Sequence, residues 1–258
     1  MGYRFGQLSV VLMIWNRNYN NRLFHFLTTL GKFQSIKPAE IIVVDTSNRR
    51  DIQESIEDDV LRSDNSSVLL IRKAMDFPHK ALALNIGIRA TDSSSNYILT
   101  TDVDMVFPQN WIENSFNYVG EDTLVLSEPS KLPQEFNKEL PKINWNGINW
   151  GKLYNLSVPW GKAGGPGNGQ ILPRDWLFDV RGYNEIFKEG QDAYDMDMWR
   201  RAKKAGLNIR WWGRRWNQFL HLWHPISEWK GKNHKYVNAQ YNKNDPDVIV
   251  NKDNWGEF

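Results

Sequence analysis

The 258-residue chain contains no cysteine, which excludes disulfide bonds, thiolate metal ligands and cysteine nucleophiles. It also lacks a strong charge bias: the formal net charge is +2, so no general affinity for polyanions is expected. Long apolar runs are missing as well, because the stretch 8–15 is too short to span a bilayer and no small-residue cleavage site follows it. We therefore expect neither a membrane anchor nor a signal peptide, and a cytoplasmic location.

What the chain does have is enough apolar sequence for a core, since 41% of its residues are hydrophobic. In the first half, short apolar runs alternate with stretches in which apolar residues recur every three or four positions. The runs predict buried strands at 8–15, 40–45, 67–72 and 96–102, and the stretches predict helices at 21–33, 51–62 and 80–91. This order predicts an α/β fold with a central, mostly parallel sheet flanked by helices, whose ligands bind at the carboxyl ends of the strands.

The second half is less regular. Prolines and an Asn-Gly turn at 146–147 interrupt residues 128–160, which we interpret as a loop-rich insertion. A helix is predicted within 190–206, ended by a glycine. We divide the chain into one domain at 1–228, made of a nucleotide-binding half (1–107) and an acceptor and catalytic half (108–228), and a polar C-terminal tail at 229–258 that wraps the surface or frays.

The most informative motif is Asp102-Val103-Asp104, at the end of the predicted fourth strand. Alternate strand residues share a face, so the two carboxylates are expected to emerge together. Hard divalent cations take such oxygen ligands and bridge to phosphate oxygens. The same spacing recurs at 195–197 and 245–247, so only the position after a buried strand distinguishes the first motif. The alternative is that these aspartates merely cap the following turn.

Five stretches, in this order, carry a resemblance to a known family: VVLMIWNRN, VVDTSN, ALNIGIRA, TTDVDMVF, and GGPGNGQILPRDWLFDVRGYNE followed by YDMDMWRRAKKAG. The chain resembles a GT-A glycosyltransferase of the family 2 type, a Rossmann-like nucleotide-diphospho-sugar transferase. Its second half is similar to the C-terminal catalytic segment of galactosyl- and N-acetylgalactosaminyltransferases. The ordered set covers most of the chain and is specific, although each piece alone is weak.

The resemblance implies a nucleotide-diphosphate sugar donor and a divalent ion, Mn²⁺ or Mg²⁺. The Asp102-Val103-Asp104 segment would hold ion and ribose, with Asp104 as the direct ligand and Asp102 beside it. A bridging ion neutralises the charge that develops on a diphosphate leaving group, which agrees with this role. Asp45 matches the aspartate that hydrogen-bonds the nucleotide base; its alternative role is that of a turn-forming residue.

Four further residues line the same edge by position: Asn16, Arg17, Lys80 and Asn85. Lys80 is a candidate partner for phosphate, but the family commonly has an arginine just before Asn85, where this chain has Leu84. Gly164 and Gly165 match a pair that lets backbone approach the donor sugar closely. A plain flexible loop is the alternative for that pair.

In the family, the catalytic base is an aspartate at the start of a helix that is followed by a further acid, an arginine and a glycine. Aligning Arg201 and Gly206 with this pattern places Asp195 at the aspartate and Asp197 at the further acid. Tyr194 stands where the family has a glutamate, so Asp192 or Glu189 is an alternative source of a carboxylate. A helix N-terminus would help to keep Asp195 ionised. The alternative for all these acids is that they only favour a helix N-terminus electrostatically.

The resemblance also implies a histidine metal ligand after the next strand, and the sequence offers His221 and His224. An insertion around 213–217 removes the spacing that would choose between them. Neutral imidazole ligates manganese acceptably. We therefore predict that one of the two is a ligand.

Thirteen tryptophans are an unusually large number, and Trp150 and Trp160 lie in or beside the insertion expected to cover the acceptor. Flat aromatic faces suit sugar rings, so both are acceptor-binding candidates. The segment 210–216 interleaves arginines and tryptophans, a pattern that also suits single-stranded nucleic acid.

The sequence therefore predicts a metal-dependent glycosyltransferase that moves a sugar from a nucleotide-diphosphate donor, UDP-linked, to a hydroxyl of a glycan or another acceptor. By similarity, transfer would invert the anomeric centre in a single displacement. Two alternatives stay open. One is a non-catalytic glycan- or nucleic-acid-binding module on a degenerate transferase scaffold, and the other is a transferase that glycosylates modified nucleic-acid bases.

Overall fold

The computed structural model of the chain describes residues 7–159, 168–188, 193–212, 218–225, 233 and 247–257. The strands in these parts are β1 (Leu8–Ile14), β2 (Glu40–Asp45), β3 (Val68–Arg72), β4 (Tyr97–Asp102), β5 (Met105–Val106), β6 (Thr123–Ser127), β7 (Ser130–Lys131), β8 (Val158–Pro159), β9 (Gly169–Pro173), β10 (Asn208–Trp212) and β11 (Leu220–His221). The helices are α1 (Arg22–Phe26), α2 (Arg50–Ser63), α3 (Lys80–Arg89), α4 (Trp111–Ser115), α5 (Trp150–Leu156), α6 (Arg174–Asp179) and α7 (Tyr194–Lys204). Short 3-10 helices lie at Tyr19–Asn21, Gln134–Lys138 and Leu140–Lys142, and a π-helical segment at Leu27–Lys32.

Seven strands form the central sheet in the order β10-β6-β9-β4-β1-β2-β3. Every pairing within it is parallel except the two made by β9. The predicted α/β fold with a mostly parallel sheet is therefore confirmed. β1 is buried along its whole length because helices cover both faces of the sheet. At Gly87 of α3, an added Cβ would lie 2.4 Å from Val11 Cγ1, so glycine permits close packing on β1.

Three strands of the central sheet, β6, β9 and β10, were not among the predicted elements. β9 begins at a glycine, ends at a proline and contains only five residues, all of them buried. Its apolar run is only Ile171-Leu172, which is too short to indicate a buried strand as the longer runs of the first half do. The predicted helix at 21–33 is also divided, because α1 ends at Phe26 and continues as a π-helical segment.

A second sheet, in the order β5-β11-β7-β8, lies beside the insertion. The insertion forms its own apolar cluster, in which Leu132, Leu140, Trp145 and Leu153 pack with β11 and the residue after it. The pairing of β11 with β5 places His221 opposite Met105, directly after the Asp-x-Asp motif. The loop-rich segment thus helps to bring a distant histidine to the end of β4.

The described end of the tail, 247–257, packs against the domain. Trp255 is buried against Phe178, and its carbonyl accepts a hydrogen bond of 2.6 Å from Arg89 Nη1. Val248 O accepts from Arg201 Nη1 at 3.0 Å. This end of the tail therefore contributes to the core, while the predicted domain boundary at 229 stays a prediction.

None of the helices in these parts of the chain combines the length and the apolar character needed to cross a bilayer.

Candidate active site

Three ionisable side chains converge after β4: Asp104, His221 and His224. Their ligand atoms all lie within 4.8 Å of one another. Asp104 Oδ2 is 3.0 Å from His224 Nε2 and 3.6 Å from His221 Nε2. The sequence left the choice between the two histidines open, and the structure brings both to Asp104.

The electrostatics of this cluster follow from its burial. Burial alone would raise the pKa of Asp104, but the two imidazoles and the guanidinium of Arg22 hold that pKa well below its ordinary range. Burial lowers the pKa of His221 to about 4, so its imidazole is neutral at pH 7. Burial would also lower the pKa of His224, but the hydrogen bond and the negative charge of Asp104 raise it. The cluster thus offers an ionised carboxylate and at least one neutral imidazole.

Arg22 connects the segments that carry these ligands. Its buried guanidinium donates from Nη2 to Trp223 O at 2.8 Å, and Nη1 lies 3.8 Å from Asp104 Oδ2. The backbone N–H of Leu222 donates to Asp104 O at 2.8 Å, which fastens the same two segments. Sequence reasoning missed Arg22. The available signal was an arginine on the apolar stripe of a helix, because a buried cation there requires an acidic or carbonyl partner.

The cluster fits a divalent metal ion. Asp104 Oδ1 is buried and has no hydrogen-bond partner among the described residues, so it is an acceptor that an ion would satisfy. One carboxylate and two imidazoles suit a first-row ion such as Mn²⁺ better than Mg²⁺, which prefers an all-oxygen shell.

We expect His221→Ala and His224→Ala each to weaken Mn²⁺ binding at least about tenfold, because even residues that only support a ligand commonly contribute that much. Isothermal titration of Mn²⁺ in the presence of UDP measures this. His25→Ala is the control, since His25 is a buried imidazole bonded to Trp145 and not to Asp104. If only one of the two variants changes Mn²⁺ affinity, the other histidine adjoins the ion without binding it.

Asp102 points to a different partner. Its Oδ1 forms a close ion pair with Lys80 Nζ, at the first residue of α3. Lys80 also lies over the Tyr194 ring, with Nζ 4.9 Å from the centroid. Asp102 is therefore outside the three-residue cluster, and its predicted role as a metal ligand stays a prediction. Val103 packs partly against the core.

Asp45 ends β2 at the same edge of the sheet. Its Oδ1 accepts the backbone N–H of Ser47 at 2.9 Å, which is the turn-forming arrangement considered from the sequence. Its buried Oδ2 has no hydrogen-bond partner among the described residues, and Arg72 Nε lies 3.5 Å away. Both predicted roles of Asp45 therefore stay open: Oδ1 forms the turn, and Oδ2 has no hydrogen-bond partner in the described residues and could accept a hydrogen bond from a nucleotide base.

Asn16 follows β1 in a left-handed conformation (φ 47°), which asparagine tolerates better than most residues. Its Oδ1 accepts the backbone N–H groups of Asn48 and Arg49, at 3.1 and 3.3 Å. It therefore joins the ends of β1 and β2. Arg17 is half-buried next to it.

Asn85, predicted to bind the donor, makes its contacts within the fold, and its role in donor binding stays a prediction. Its side chain is fully buried, with Nδ2 donating to Tyr183 O and Glu185 Oε1 at 2.8 Å each, and Oδ1 accepting from Tyr183 N at 2.7 Å. Both polar atoms of the side chain are thus bonded within the fold, so Asn85 holds the loop after α6 against α3.

Asp195 lies in the first turn of α7, and a buried chain of hydrogen bonds holds this turn to the sheet. Gln170 Nε2 of β9 donates to Asp195 O at 3.1 Å, and Gln170 Oε1 accepts from Tyr183 Oη at 2.7 Å. Tyr183 Oη also lies 2.6 Å from Thr100 Oγ1 of β4. The backbone of Asp195 is thereby fixed relative to the strand that carries Asp102.

From the sequence, the helix N-terminus is expected to keep Asp195 ionised, which would lower its pKa. In the structure, burial has the larger effect on this pKa. Burial raises the pKa of Asp195 to about 6, although backbone N–H groups of the first turn and Lys80 oppose this. Burial disfavours the charged form of the carboxylate, and here this cost exceeds the stabilisation by the helix end. A carboxylate with this pKa is matched to general-base catalysis near neutral pH.

Asp197, the other predicted catalytic acid of α7, is paired within the fold, and its role in catalysis stays a prediction. Asp197 is buried, and its Oδ2 accepts from Arg201 Nε at 2.9 Å. Arg201 is fully buried as well and donates from Nη2 to Gly182 O at 2.7 Å. Asp197 holds Arg201 in place, and Arg201 in turn links α7 to the loop after α6. The contacts of this ion pair are therefore structural.

We expect Asp197→Ala to lower the free energy of unfolding by about 3–5 kcal/mol, because it leaves the Arg201 charge buried without its partner. Urea unfolding followed by circular dichroism measures this. Lys203→Ala, at an exposed cation of the same helix, is the control and should change little. An Asp197→Ala variant as stable as the wild type would contradict the structural role of this ion pair.

Trp150 does not lie among the charged residues of the site. It stacks on Trp145 with ring centroids 5.7 Å apart, inside the apolar cluster of the insertion. Trp160, Gly164, Gly165, Asp192 and Glu189 lie outside the described residues, so their predicted roles stay predictions.

The sheet order and the acidic motif at the end of β4 define a nucleotide-diphospho-sugar transferase fold of the GT-A class. The sequence profile of glycosyl transferase family 2 matches residues 9–180, and the chain belongs to this family. The resemblance inferred from the sequence is thereby confirmed. A search of curated protein sequences gives no significant match.

Solved structures agree on the fold. S. aureus TarS superposes with a TM-score of 0.59 at 15% identity, covering 94% of this chain and 41% of that one. GalNAc-T7 with UDP, GalNAc and Mn²⁺ gives 0.67 at 13% identity, covering 93% and 48%. TarS 1–349 in complex with UDP gives 0.53 at 15% identity, covering 85% and 61%. The chain thus spans about half the length of these proteins.

Proposed function

We propose that the protein transfers a sugar from a UDP-linked donor to an acceptor hydroxyl, with the help of a divalent metal ion. The observation that carries this is the cluster of Asp104, His221 and His224 after β4, at the same end of the sheet as Asp102 and Lys80. The structures of GalNAc-T7, with UDP, GalNAc and Mn²⁺, and of TarS 1–349, with UDP, support the choice of donor and ion.

Asp104, His221 and His224 would hold the ion, and the two imidazoles favour Mn²⁺ over Mg²⁺. When bound, such an ion neutralises charge on diphosphate oxygens as a Lewis acid. Arg22 would keep the three ligands in place through its contacts to Asp104 and to the carbonyl of Trp223.

The donor would lie along the carboxyl ends of β1, β2 and β4. Asp45 Oδ2, buried and without a hydrogen-bond partner in the described part of the chain, is suited to accept the ring N–H of uracil. Asn16 and Arg17 would line the base, and Asp102 and Val103 the ribose. Lys80, paired with Asp102, would face the diphosphate, and Gly164 and Gly165 would approach the donor sugar.

Asp195 would act as the general base, with Asp192 as the alternative. The acceptor oxygen forms a bond to the anomeric carbon while the bond from that carbon to the diphosphate oxygen breaks, and the nucleoside diphosphate departs with the electron pair. The acceptor proton passes to the carboxylate. Attack on the face opposite the leaving group in one displacement inverts the anomeric centre.

One observation favours the alternatives that involve nucleic acid. Arg210 and Trp211 are exposed on β10, an edge strand of the central sheet, with 48% of Trp211 accessible to solvent. Exposed cationic and aromatic side chains along one edge strand suit a nucleic-acid strand, either as a bound partner or as an acceptor carrying a modified base. Residues 213–217 of this segment lie outside the described part of the chain.

A thermal-shift panel of UDP- and GDP-linked sugars, with and without Mn²⁺, tests the proposal. Binding to the native state raises the unfolding midpoint, and we expect this for a UDP-sugar only when Mn²⁺ is present. Release of UDP from that donor without acceptor would then distinguish an enzyme from a binding module. No stabilisation by any nucleotide sugar would overturn the proposed function.

A further inference from the structure

A cavity of about 130 Å³ opens on the surface between the insertion and the helical segment after α1. The wall is aromatic, with contributions from Phe33, Phe107, Trp145 and Trp150. Thr29, Gln109 and residues 146–148 complete the lining. Its lining includes neither the metal cluster nor Asp102, Lys80 or Asp195, so it is separate from the proposed donor site.

The walls of this cavity are already fixed. Trp145 is buried and donates from Nε1 to His25 Nδ1 at 3.0 Å, and Trp150 stacks on it at 5.7 Å. Phe107 stacks on Phe219 with centroids 5.1 Å apart and planes 3° from parallel. Since these aromatic side chains are already ordered, a ligand would bind without the loss of conformational entropy that ordering them would cause.

The polar groups at the rim are available. Gln109 and Asn146 are exposed, and their side-chain amides have no hydrogen-bond partner among the described residues. The same holds for the indole N–H of Trp150. Gly147, with φ +92°, has open space around the position of a Cβ, so the turn leaves the mouth of the cavity clear.

The chemistry of this lining selects a class of ligand. It contains no charged side chain, so a phosphate, a nucleotide or a nucleic-acid strand would lose its ionic hydration without compensation. Aromatic faces match the C–H faces of a pyranose ring, and amide groups match its hydroxyls. At about 130 Å³ the cavity is slightly smaller than the volume of about 150 Å³ that encloses benzene, so it seats one face of a single ring at its open mouth and does not enclose a longer glycan.

The geometry points to a glycan-binding subsite at this cavity, which holds one uncharged pyranose ring against Trp150 with hydrogen bonds from Asn146 and Gln109. This subsite recognises a neutral glycan at a distance from the reacting sugar. A role of this subsite in acceptor recognition rests on the proposed transferase function. The binding of a glycan to the subsite does not depend on that function.

Titration of the whole protein with the methyl glycosides of glucose, galactose, mannose, N-acetylglucosamine and N-acetylgalactosamine tests the subsite, without donor or metal. Binding is followed by NMR of the tryptophan indole N–H signals. We expect at least one glycoside to shift the Trp150 signal, and Trp150→Ala or Asn146→Ala to weaken its binding about tenfold, the typical effect of removing an anchoring contact. Leu156→Ala, at an exposed apolar residue of the same helix as Trp150 that does not line the cavity, is the matched control and should leave the affinity unchanged.

Three outcomes would overturn the subsite: no glycoside binds, binding is insensitive to both cavity variants, or an aromatic peptide or glucose 6-phosphate binds as well as the neutral sugars. Asn146→Ala lies on an exposed turn, so the test does not depend on Trp150→Ala folding. UDP and Mn²⁺ binding is measured on the same samples. Failure of UDP binding with intact glycoside binding would reject the proposed transferase function and leave the subsite standing.

Discussion

Asp195→Asn should reduce sugar transfer by about two to four orders of magnitude, the usual contribution of a positioned general base. The change keeps the shape of the side chain and removes its basicity, so donor binding should stay nearly unchanged. Single-turnover transfer with a UDP-sugar measures the chemical step, and titration with UDP and Mn²⁺ measures donor binding. The expected result is therefore a loss in rate without a loss in donor affinity.

Asp192→Asn, tested beside it, decides the register of the base. We expect near-normal transfer from this variant. If Asp192→Asn abolishes transfer and Asp195→Asn does not, the alignment is shifted by three residues and Asp192 is the base.

The raised pKa of Asp195 gives two further readouts. Since only the ionised carboxylate accepts a proton, kcat/KM should rise with pH up to about 6, the pKa set chiefly by burial, and level off above it. In an unfolded chain this pKa returns to its ordinary, lower value, so ionising Asp195 destabilises the fold as pH rises through that window. Asp195→Asn should thus be at least as stable as the wild type at pH 7, whereas Asp197→Ala should be less stable. A pH profile without an inflection near 6 would contradict this role for Asp195.

Asp104→Asn should remove Mn²⁺-dependent nucleotide binding, with an affinity loss of about a hundredfold or more, because it replaces the ionised ligand of the cluster. Asparagine is preferable to alanine here. Asp104 is buried near the Arg22 cation, and asparagine removes the charge of Asp104 but keeps its volume and an acceptor oxygen beside that cation, whereas alanine would remove all three. Titration of UDP with and without Mn²⁺ measures the effect.

Asp58→Asn, at an exposed aspartate of α2, is the control and should bind UDP and Mn²⁺ as the wild type does. Circular dichroism verifies that the Asp104 variant is folded. Unchanged Mn²⁺-dependent affinity in a folded Asp104→Asn protein would reject the metal assignment.

Much of the first half of the fold could be predicted because its signals are local. β2 lies where the apolar run placed it, and α2 and α3 agree with the predicted helices to within two residues at each end. The end of α7 was also predictable: Gly206 adopts φ +87°, and Leu207 N donates to Ala202 O at 3.0 Å, which closes the helix. β6 and β9 were missed because a short buried strand has no polar alternation to reveal it.

At the site, the sequence proposed Asp104 and Asp195, which the structure places after β4 and in the first turn of α7, but it could not show which polar residues are already bonded within the fold. Asn85 and Asp197 match family positions by spacing, and only their burial and partners show that they hold the fold together. Spacing along the chain records which residues share an element. It does not show which polar groups already have a hydrogen-bond partner on another element of the fold.

By itself, the sequence determined the α/β class, the family and the acidic motif at the end of β4, because strand and helix periodicity and ordered motifs are properties of contiguous residues. The tertiary structure alone decided that both histidines meet Asp104, that burial raises the pKa of Asp195, and that Arg22 joins the ligand segments. Arg22 and Trp223 are 201 positions apart. Contacts at that separation, and the desolvation they cause, arise only when the sheet and the insertion have packed together.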